Sequence, residues 1–409
     1  MSPEGLASLN VLNGMRIVLG VTGGIAAYKS ADFASKLVQA GANVDVVMTQ
    51  AATRLVGPAT FQALTKRPVY ADVFEPWTPE WHGHISLGHD ADAVVIAPAT
   101  ANSIAKLAHG LADDMLGAVV LSTRATVLVV PAMEHEMYRH PATQSNLRVL
   151  RDRGVIQIGP ESGRLASGEI GEGRMVAPET IVGALRMAIG RRGPLAGCHI
   201  VVTAGGTQEP LDPIRFLGNR SSGLMGHALA QAAIDAGSDV TLISSSTSLP
   251  IPYGARFIHF QTALELRDAV ETAVEKADVI IMSAAVADFR PKQAASLKIK
   301  KQPGVDSLTV ELIRNPDIVA SISRTNLVKI GFAAETDDLL QHAKAKLHEK
   351  GLALIVANDA ASTIGSREIT AHLLFATGEK VSLPRLPKEQ VATEIVTHVA
   401  RLCAAHPNG

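Results

Sequence analysis

Short apolar runs alternate along the whole chain with stretches of helical periodicity, which is the pattern of parallel strands covered by helices. In the first half the runs predict strands at Arg16–Val21, Asn43–Met48, Ala93–Ala97, Thr126–Val130 and Val155–Ile158. Helices are expected near Ala26–Gln39, Thr60–Thr65, Ile104–Ala108, Leu116–Ser122 and Thr143–Arg153, with a further one ending near Ile189. The second half repeats the grammar with strands at His199–Thr203, Asp239–Ser244, Phe257–Phe260, Val279–Ser283, Leu327–Phe332 and Leu354–Asn358. A late pair, His372–Phe375 and Lys380–Leu383 around Thr377-Gly378, reads as a β-hairpin. Between the halves, Gly190 to Gly197 concentrates glycine, proline and charge, so the boundary is expected there, with domains at 1–190 and 191–409. The fold class that follows is α/β, two Rossmann-like domains in tandem.

Each half opens in the same way. Met15–Gly24 reads MRIVLGVTGG and His199–Thr207 reads HIVVTAGGT, each an apolar run ending in paired glycines before a helical stretch. A strand, a glycine turn and a helix N-terminus make an anion site, because backbone N–H groups and the helix dipole point at the ligand. Two such openings imply two phosphate-bearing ligands.

Composition narrows the setting. The chain has 409 residues, 47% of them hydrophobic and 19% charged, as in globular proteins with sizeable cores. A formal charge of −1 gives no bulk attraction to nucleic acid or to an anionic membrane. No apolar run approaches the ~20 residues that span a bilayer, and MSPEGLASLN does not read as a signal peptide. Cys198 and Cys403 are the only cysteines, which excludes a disulfide framework and a Cys-rich zinc site and fits a reducing cytoplasm.

The first opening departs from GxGxxG, and no acidic residue follows where NAD would need its ribose held. Thr49 ends the second strand with a hydroxyl. Ala97-Pro98-Ala99-Thr100-Ala101-Asn102 ends another strand with small residues that admit a flat ring, while Thr100 and Asn102 can hydrogen-bond its edge. Three strand ends therefore converge on a mononucleotide-sized site around Gly23, Gly24, Ile25, Thr49, Thr100, Ala101 and Asn102. In His82-Gly83-His84 a metal pair lacks completing ligands, so His84 is the better candidate, as a general acid/base.

Taken in order, GGIAAYK, GHISL, APATAN and PAMEHEMY resemble the flavin-containing cysteine decarboxylases, which are homo-oligomeric, flavodoxin-like and FMN-binding. The resemblance implies that His84 is catalytic and that Met133, Glu134 and His135 meet the substrate carboxylate. Two residues depart from the pattern: Glu134 replaces an asparagine, and Ser167 replaces the cysteine of the recognition clamp Leu165–Met175, where it inherits a catalytic position.

In the second half, Gly218-Asn219-Arg220-Ser221-Ser222-Gly223 precedes an apolar helix and can cap it while cradling a phosphate. Ser283, Ala284 and Asp288 lie at a strand end, where Asp288 can serve a ribose or a phosphate-bound Mg2+. Alternation puts Lys298 and Lys300 on one face of an extended segment, and Lys346 and Lys350 stand one helical turn apart. These segments resemble phosphopantothenate–cysteine ligase, so the whole chain resembles the bifunctional phosphopantothenoylcysteine decarboxylase/phosphopantothenate–cysteine ligases of bacterial coenzyme A synthesis. The resemblance implies that CTP activates phosphopantothenate as an acyl-cytidylate, that cysteine attacks it, and that phosphopantothenoylcysteine is then decarboxylated. It makes Asn219 and Lys298 catalytic. It sets Pro316, Asp317, Ile318, Val319, Phe332, Lys346 and Lys350 against CTP. Leu224 and Gln208 stand where lysine and arginine are common, each removing a charge. Trimer-based decarboxylase domains and dimeric ligase domains are also implied. The residues themselves leave open a tandem NAD-dependent dehydrogenase and an FMN-binding assembly protein that has lost its activities.

Overall fold

The structure is a computed structural model that describes residues 11–74, 83–300, 307–335, 338–359 and 366–405. His82, named in the motif above, lies outside the described residues. The chain divides into two compact units, one up to Ile189 and one from Gly190 onward.

Among the described residues the first unit holds a six-stranded parallel sheet. Its strands are β1 (Arg16–Val21), β2 (Asn43–Met48), β3 (Val69–Tyr70), β4 (Ala93–Ala99), β5 (Thr126–Pro131) and β6 (Ile156–Gln157), in the spatial order β3-β2-β1-β4-β5-β6. The helices are α1 (Ala27–Gln39), α2 (Gln50–Thr53), α3 (Pro58–Thr65), α4 (His84–Asp90), α5 (Ala101–His109), α6 (Met115–Ser122), α7 (His135–Arg139), α8 (Pro141–Asp152) and α9 (Pro178–Gly190). Alternate strand residues serve opposite faces. Val18, Val94, Ile96 and Val129 join Leu87, Ile104, Leu116 and Leu147 in the core under α4, α5, α6 and α8. On the other face α1 buries Ala27, Ser30, Phe33, Ala34 and Leu37, spaced as a helical stripe. Strands buried on both sides read as continuous apolar runs, which is why β1 and β2 fall where the sequence puts them.

The order reverses between β1 and β4. Right-handed crossovers then send α1 and α5 to opposite faces and leave a crevice at the C-terminal ends of these two strands. An antiparallel hairpin, β7 (Glu161–Arg164) with β8 (Ile170–Arg174), stands outside the sheet.

The second unit repeats the plan. Its strands are β9 (His199–Ala204), β10 (Gln208–Pro210), β11 (Phe216–Gly218), β12 (Asp239–Ser244), β13 (Arg256–His259), β14 (Val279–Met282), β15 (Phe289–Pro291), β16 (Leu312–Arg314), β17 (Val328–Glu335), β18 (Leu354–Asp359), β19 (Glu368–Phe375) and β20 (Lys380–Pro387). Eight of them form one sheet, β13-β12-β9-β14-β17-β18-β19-β20, parallel up to β18 and closed by the antiparallel hairpin β19–β20. The order reverses between β9 and β14. Two small antiparallel arms, β10–β11 and β15–β16, leave the sheet near that point. The helices are α10 (Leu224–Asp235), α11 (Ala263–Val274), α12 (Ile318–Ser321), α13 (Leu339–Glu349) and α14 (Lys388–Ala405). The thiols of Cys198 and Cys403 hydrogen-bond to each other, and burial pushes Cys403 up to about 12.

The elements that sequence periodicity did not name are the short α2, β3, α4, α7 and α12, the β7–β8 hairpin and the two arms, together with the longer helices α11 and α14. Strands β7 and β8, ESGR and IGEGR, expose most positions on both faces, so no alternation marks them. Helix α4 depends on a close approach instead. An added Cβ at Gly88 would lie 2.2 Å from Ser122 Oγ and 3.0 Å from Val119 O on α6. Gly88→Ala should therefore lower unfolding stability by about 1–3 kcal/mol in a denaturant titration.

Candidate active sites

The first crevice is built from bare backbone. Thr22 Oγ1 donates to Pro98 O at 2.7 Å and accepts from Thr100 N at 3.1 Å, tying the loop after β1 to the end of β4. A Cβ on Gly24 would lie 3.3 Å from Thr100 Cγ2, and one on Gly23 only 2.3 Å from Ala51 Cβ. The ends of β1, β2 and β4 therefore converge as expected. Thr49 and Thr100 cap α2 and α5, accepting from Ala52 N and Ser103 N. Ala101 and Asn102 form the first turn of α5, while Ile25 is 68% exposed at the crevice rim. A glycine cradle at the start of α1, small residues on β4 and capped helix starts fit a flavin mononucleotide.

His84 opens α4, half-buried, with Gly83 before it at φ +54° and its own carbonyl accepting from Ser122 Oγ at 3.0 Å. This anchors it on the face that carries α4–α6, whereas Gly23-Gly24 leads into α1 on the other face.

The segment after β5 docks the hairpin. Met133 N donates to Gly173 O at 3.0 Å, and Glu172 N donates to His135 Nδ1 at 3.0 Å. Gly173 has φ +145°, and a Cβ there would strike Met133 O at 2.3 Å. Lys29 Nζ donates to Met175 O, so the base of the hairpin is also tied to α1. Glu134 turns one carboxylate oxygen to its own backbone. It is the N-cap of α7, and Oε2 accepts from Glu136 N and Met137 N. With His135 Nδ1 engaged, Nε2 is the ring nitrogen available to a carboxylate. Ser167 is exposed at the hairpin tip, where Leu165 N donates to Glu169 O.

The second crevice opens into a cavity of about 1230 Å³. Ala285 N donates to Gly205 O at 2.8 Å and Thr207 N to Ala285 O at 3.1 Å, joining the loops after β9 and β14. Asn219 Nδ2 donates to Val286 O, which fixes that residue on the cavity wall. Buried Asn315 acts as a hub: it donates to Ala287 O at 2.7 Å and accepts from Arg290 at 2.9 Å, while its N–H donates to Asp288 O. Ser283, Ala284, Asp288, Pro316, Asp317, Ile318, Val319, Phe332, Lys346 and Lys350 all line the cavity. Asp317 caps α12 and pairs with Lys350 at 3.0 Å. Burial alone would raise this carboxyl, but Lys350 and the Ala320 N–H outweigh it and hold it below its ordinary 3.8.

Lys298 departs from this convergence, being exposed and outside the cavity lining. The next residue explains its position: Ile299 N donates to Asp212 Oδ2, and Ile299 O accepts from Arg215, so the segment is held by the β10–β11 turn. Sequence reading missed Asn358 and Lys388 and took Asn315 only as part of the segment Asn315-Pro316-Asp317-Ile318, without a role of its own. Asn358 is the penultimate residue of β18 and Lys388 begins α14, and only the sheet order brings them to the cavity. Among the described residues no group of three His, Cys, Asp or Glu side chains could hold a metal, and no helix is long and apolar enough to cross a membrane.

Comparison with known proteins assigns both halves. A family described as flavoprotein matches residues 7–190, and one described as DNA/pantothenate metabolism flavoprotein C-terminal domain matches residues 195–402. The coenzyme A biosynthesis bifunctional protein CoaBC of Bacillus subtilis (strain 168) is 44% identical over 400 residues, covering 96% of this chain and 98% of its own. The protein of the same name from Escherichia coli (strain K12) is 44% identical over 400 residues, covering 94% and 98%. Among solved structures, the C-terminal domain of coenzyme A biosynthesis bifunctional protein CoaBC is 34% identical, covers 51% of this chain and 97% of its own, and has a TM-score of 0.45.

Two outcomes follow from the geometry. Gly173→Ala should undock the hairpin, and hydrogen exchange at the Met133 amide should accelerate at least about tenfold as its acceptor leaves. Asp317, with its folded pKa lowered, adds stability that is complete above its ordinary 3.8 and is lost as pH falls through the lower folded value. Asp317→Asn should flatten that acid limb in pH-dependent denaturation. At neutral pH it should cost about 0.5–1 kcal/mol, because the pair is partly exposed.

Proposed function

The chain belongs to the coenzyme A biosynthesis bifunctional proteins, and from that membership we propose how its two crevices divide the work. It is a phosphopantothenoylcysteine decarboxylase and a phosphopantothenate–cysteine ligase. The observation that carries the division is that each unit places its own glycine-lined crevice at its own reversal of strand order.

Decarboxylation belongs to the first unit. Gly23, Gly24, Ile25 and Thr49 hold the phosphate end of FMN, and Thr100, Ala101 and Asn102 flank its ring. FMN held there would supply reversible two-electron chemistry, taking electrons from the thiol-bearing cysteinyl carbon to create the electron sink that CO2 loss requires and returning them to the resulting ene-thiol. His84 moves the proton as general acid/base, since an imidazole can both take and give one. Met133 and His135 receive the substrate carboxylate, and Glu134 shapes the start of α7. Ser167 takes the position of the clamp's proton donor. Exposed Ile25 and Tyr28 beside the crevice support a neighbouring subunit covering it, as a trimer would. Strand β2 ends in Met48 and Thr49, with no carboxylate for a dinucleotide ribose, which weighs against an NAD-dependent reading.

Ligation belongs to the second unit and comes first. CTP with Mg2+ occupies the cavity against Asp288, Pro316–Val319, Phe332, Lys346 and Lys350. The phosphopantothenate carboxylate attacks the α-phosphorus, pyrophosphate leaves, and the cysteine amine displaces CMP from the acyl-cytidylate. Asn219, locked to Val286 O, orients the acyl group. Lys298 neutralises developing charge only if its segment reaches a cavity by pairing of two ligase units. Ile214, Phe216, Leu217, Phe289 and Leu312, exposed on or beside the two arms, support such pairing. Both reactions suit the cytoplasm.

The test is one incubation with phosphopantothenate, cysteine, CTP and Mg2+, read by mass spectrometry. Wild type should carry a yellow FMN spectrum and yield pyrophosphate and 4'-phosphopantetheine. His84→Asn should lose CO2 release by about 10²–10⁴-fold with ligation unchanged. Absence of pyrophosphate in wild type would overturn the ligase half.

A further inference from the structure

The ligase cavity holds a cation that the roles above leave unused. Lys388 is the first residue of the 18-residue helix α14, is only 6% exposed, and lines the cavity together with Asn358 and Ile369. Among the described residues its ammonium has no hydrogen-bond or ion-pair partner, although its main-chain N–H donates to Arg367 O. A lysine is rarely so buried without a counter-charge, and the first turn of a helix, where the dipole is positive, is its least favourable place. Burial pushes its pKa below the ordinary 10.5 in spite of adjacent Glu389.

Topology adds a second helix start at the same place. Strand β19 is antiparallel to β18, and β20 is antiparallel to β19, so β20 runs parallel with β9. It therefore delivers α14 from the same edge of the sheet at which the excursion after β9 delivers α10. The two helices pack together, and both begin at the cavity, α10 through Ser221, Ser222 and Gly223. The first turn of α10, Leu224-Met225-Gly226, carries no cation of its own. Two positive helix ends and an ammonium with no partner among the described residues thus line the same cavity.

We propose that Lys388 and the N-terminal turns of α10 and α14 form a phosphate-binding subsite of the ligase cavity. The ligand is a phosphate group of one of the two phosphorylated substrates, the nucleotide polyphosphate or the phosphate monoester of the acid; this rests on the ligase reading above. Occupancy supplies the counter-charge that the fold withholds from Lys388 and accepts N–H groups that the first helical turns leave unpaired.

The experiment titrates full-length wild type and Lys388→Met calorimetrically with CTP–Mg2+ and, separately, with 4'-phosphopantothenate. Methionine keeps an unbranched apolar stem and removes the charge. The expected result is a Kd at least about tenfold weaker for one ligand, with the other within about twofold, and an undiminished melting temperature without ligand. The ligand affected identifies whose phosphate is held. Unchanged Kd values for both ligands would overturn the subsite. A lowered ligand-free melting temperature in both Lys388→Met and Lys388→Gln would also overturn it, by assigning Lys388 to folding. A wild-type chain that binds neither ligand overturns the ligase reading itself, a failure distinct from loss of the subsite.

Discussion

Two neighbouring parallel strands whose chains leave toward opposite faces cannot cover their own C-terminal ends. That constraint acts between β1 and β4 in one unit and between β9 and β14 in the other, and both functional crevices depend on it. Right-handed crossovers put the following helices on opposite sides of the sheet, so the loops at the reversal meet each other rather than a helix. What lies between them are helix starts, whose first N–H groups have no acceptor within the helix and so suit a phosphate.

The loops do not drift apart, because each pair is hydrogen-bonded across the reversal. In the first unit one hydroxyl, Thr22 Oγ1, donates to β4's end and accepts from the residue that caps α5. In the second, main-chain bonds through Ala285 do the same work. Small residues at these points are a packing requirement, since a Cβ on Gly206 would fall 2.7 Å from Asn219 O. Chemistry is then added by segments outside the sheets: the docked hairpin beside the first crevice, and the Asn315 hub and α13 lysines beside the second.

Charge is handled locally. A chain of net charge −1 cannot attract anionic substrates by its overall field, so their recognition falls to oriented N–H groups and individual cations. Those cations are not equivalent. Lys350 is neutralised by Asp317, whereas Lys388 is buried at a helix start with no side-chain partner among the described residues. Glu134 shows the same local handling of an anion: one carboxylate oxygen accepts from two amides of its own helix.

Strand positions, the two-unit plan and most cavity-lining residues were legible in the sequence, because strands buried on both faces must be continuously apolar and glycine pairs mark strand-to-helix turns. Strands β1, β2 and β12 begin and end where periodicity puts them. The short elements were not legible: α4 forms because Gly88 lets it lie against α6, and β7–β8 because Met133 and His135 hold β8, and neither contact leaves a periodic trace. Alternation put Lys298 and Lys300 on one face and the family resemblance made Lys298 catalytic, whereas Asp212 and Arg215, more than eighty residues earlier, hold its segment outside the cavity lining of its own unit. Nothing in the sequence pattern singled out Lys388. The sequence by itself determined which residues could form strands and which loops could bind phosphate. Only the tertiary structure decided which side chains share a cavity, because that depends on the order and direction of strands distant in the chain.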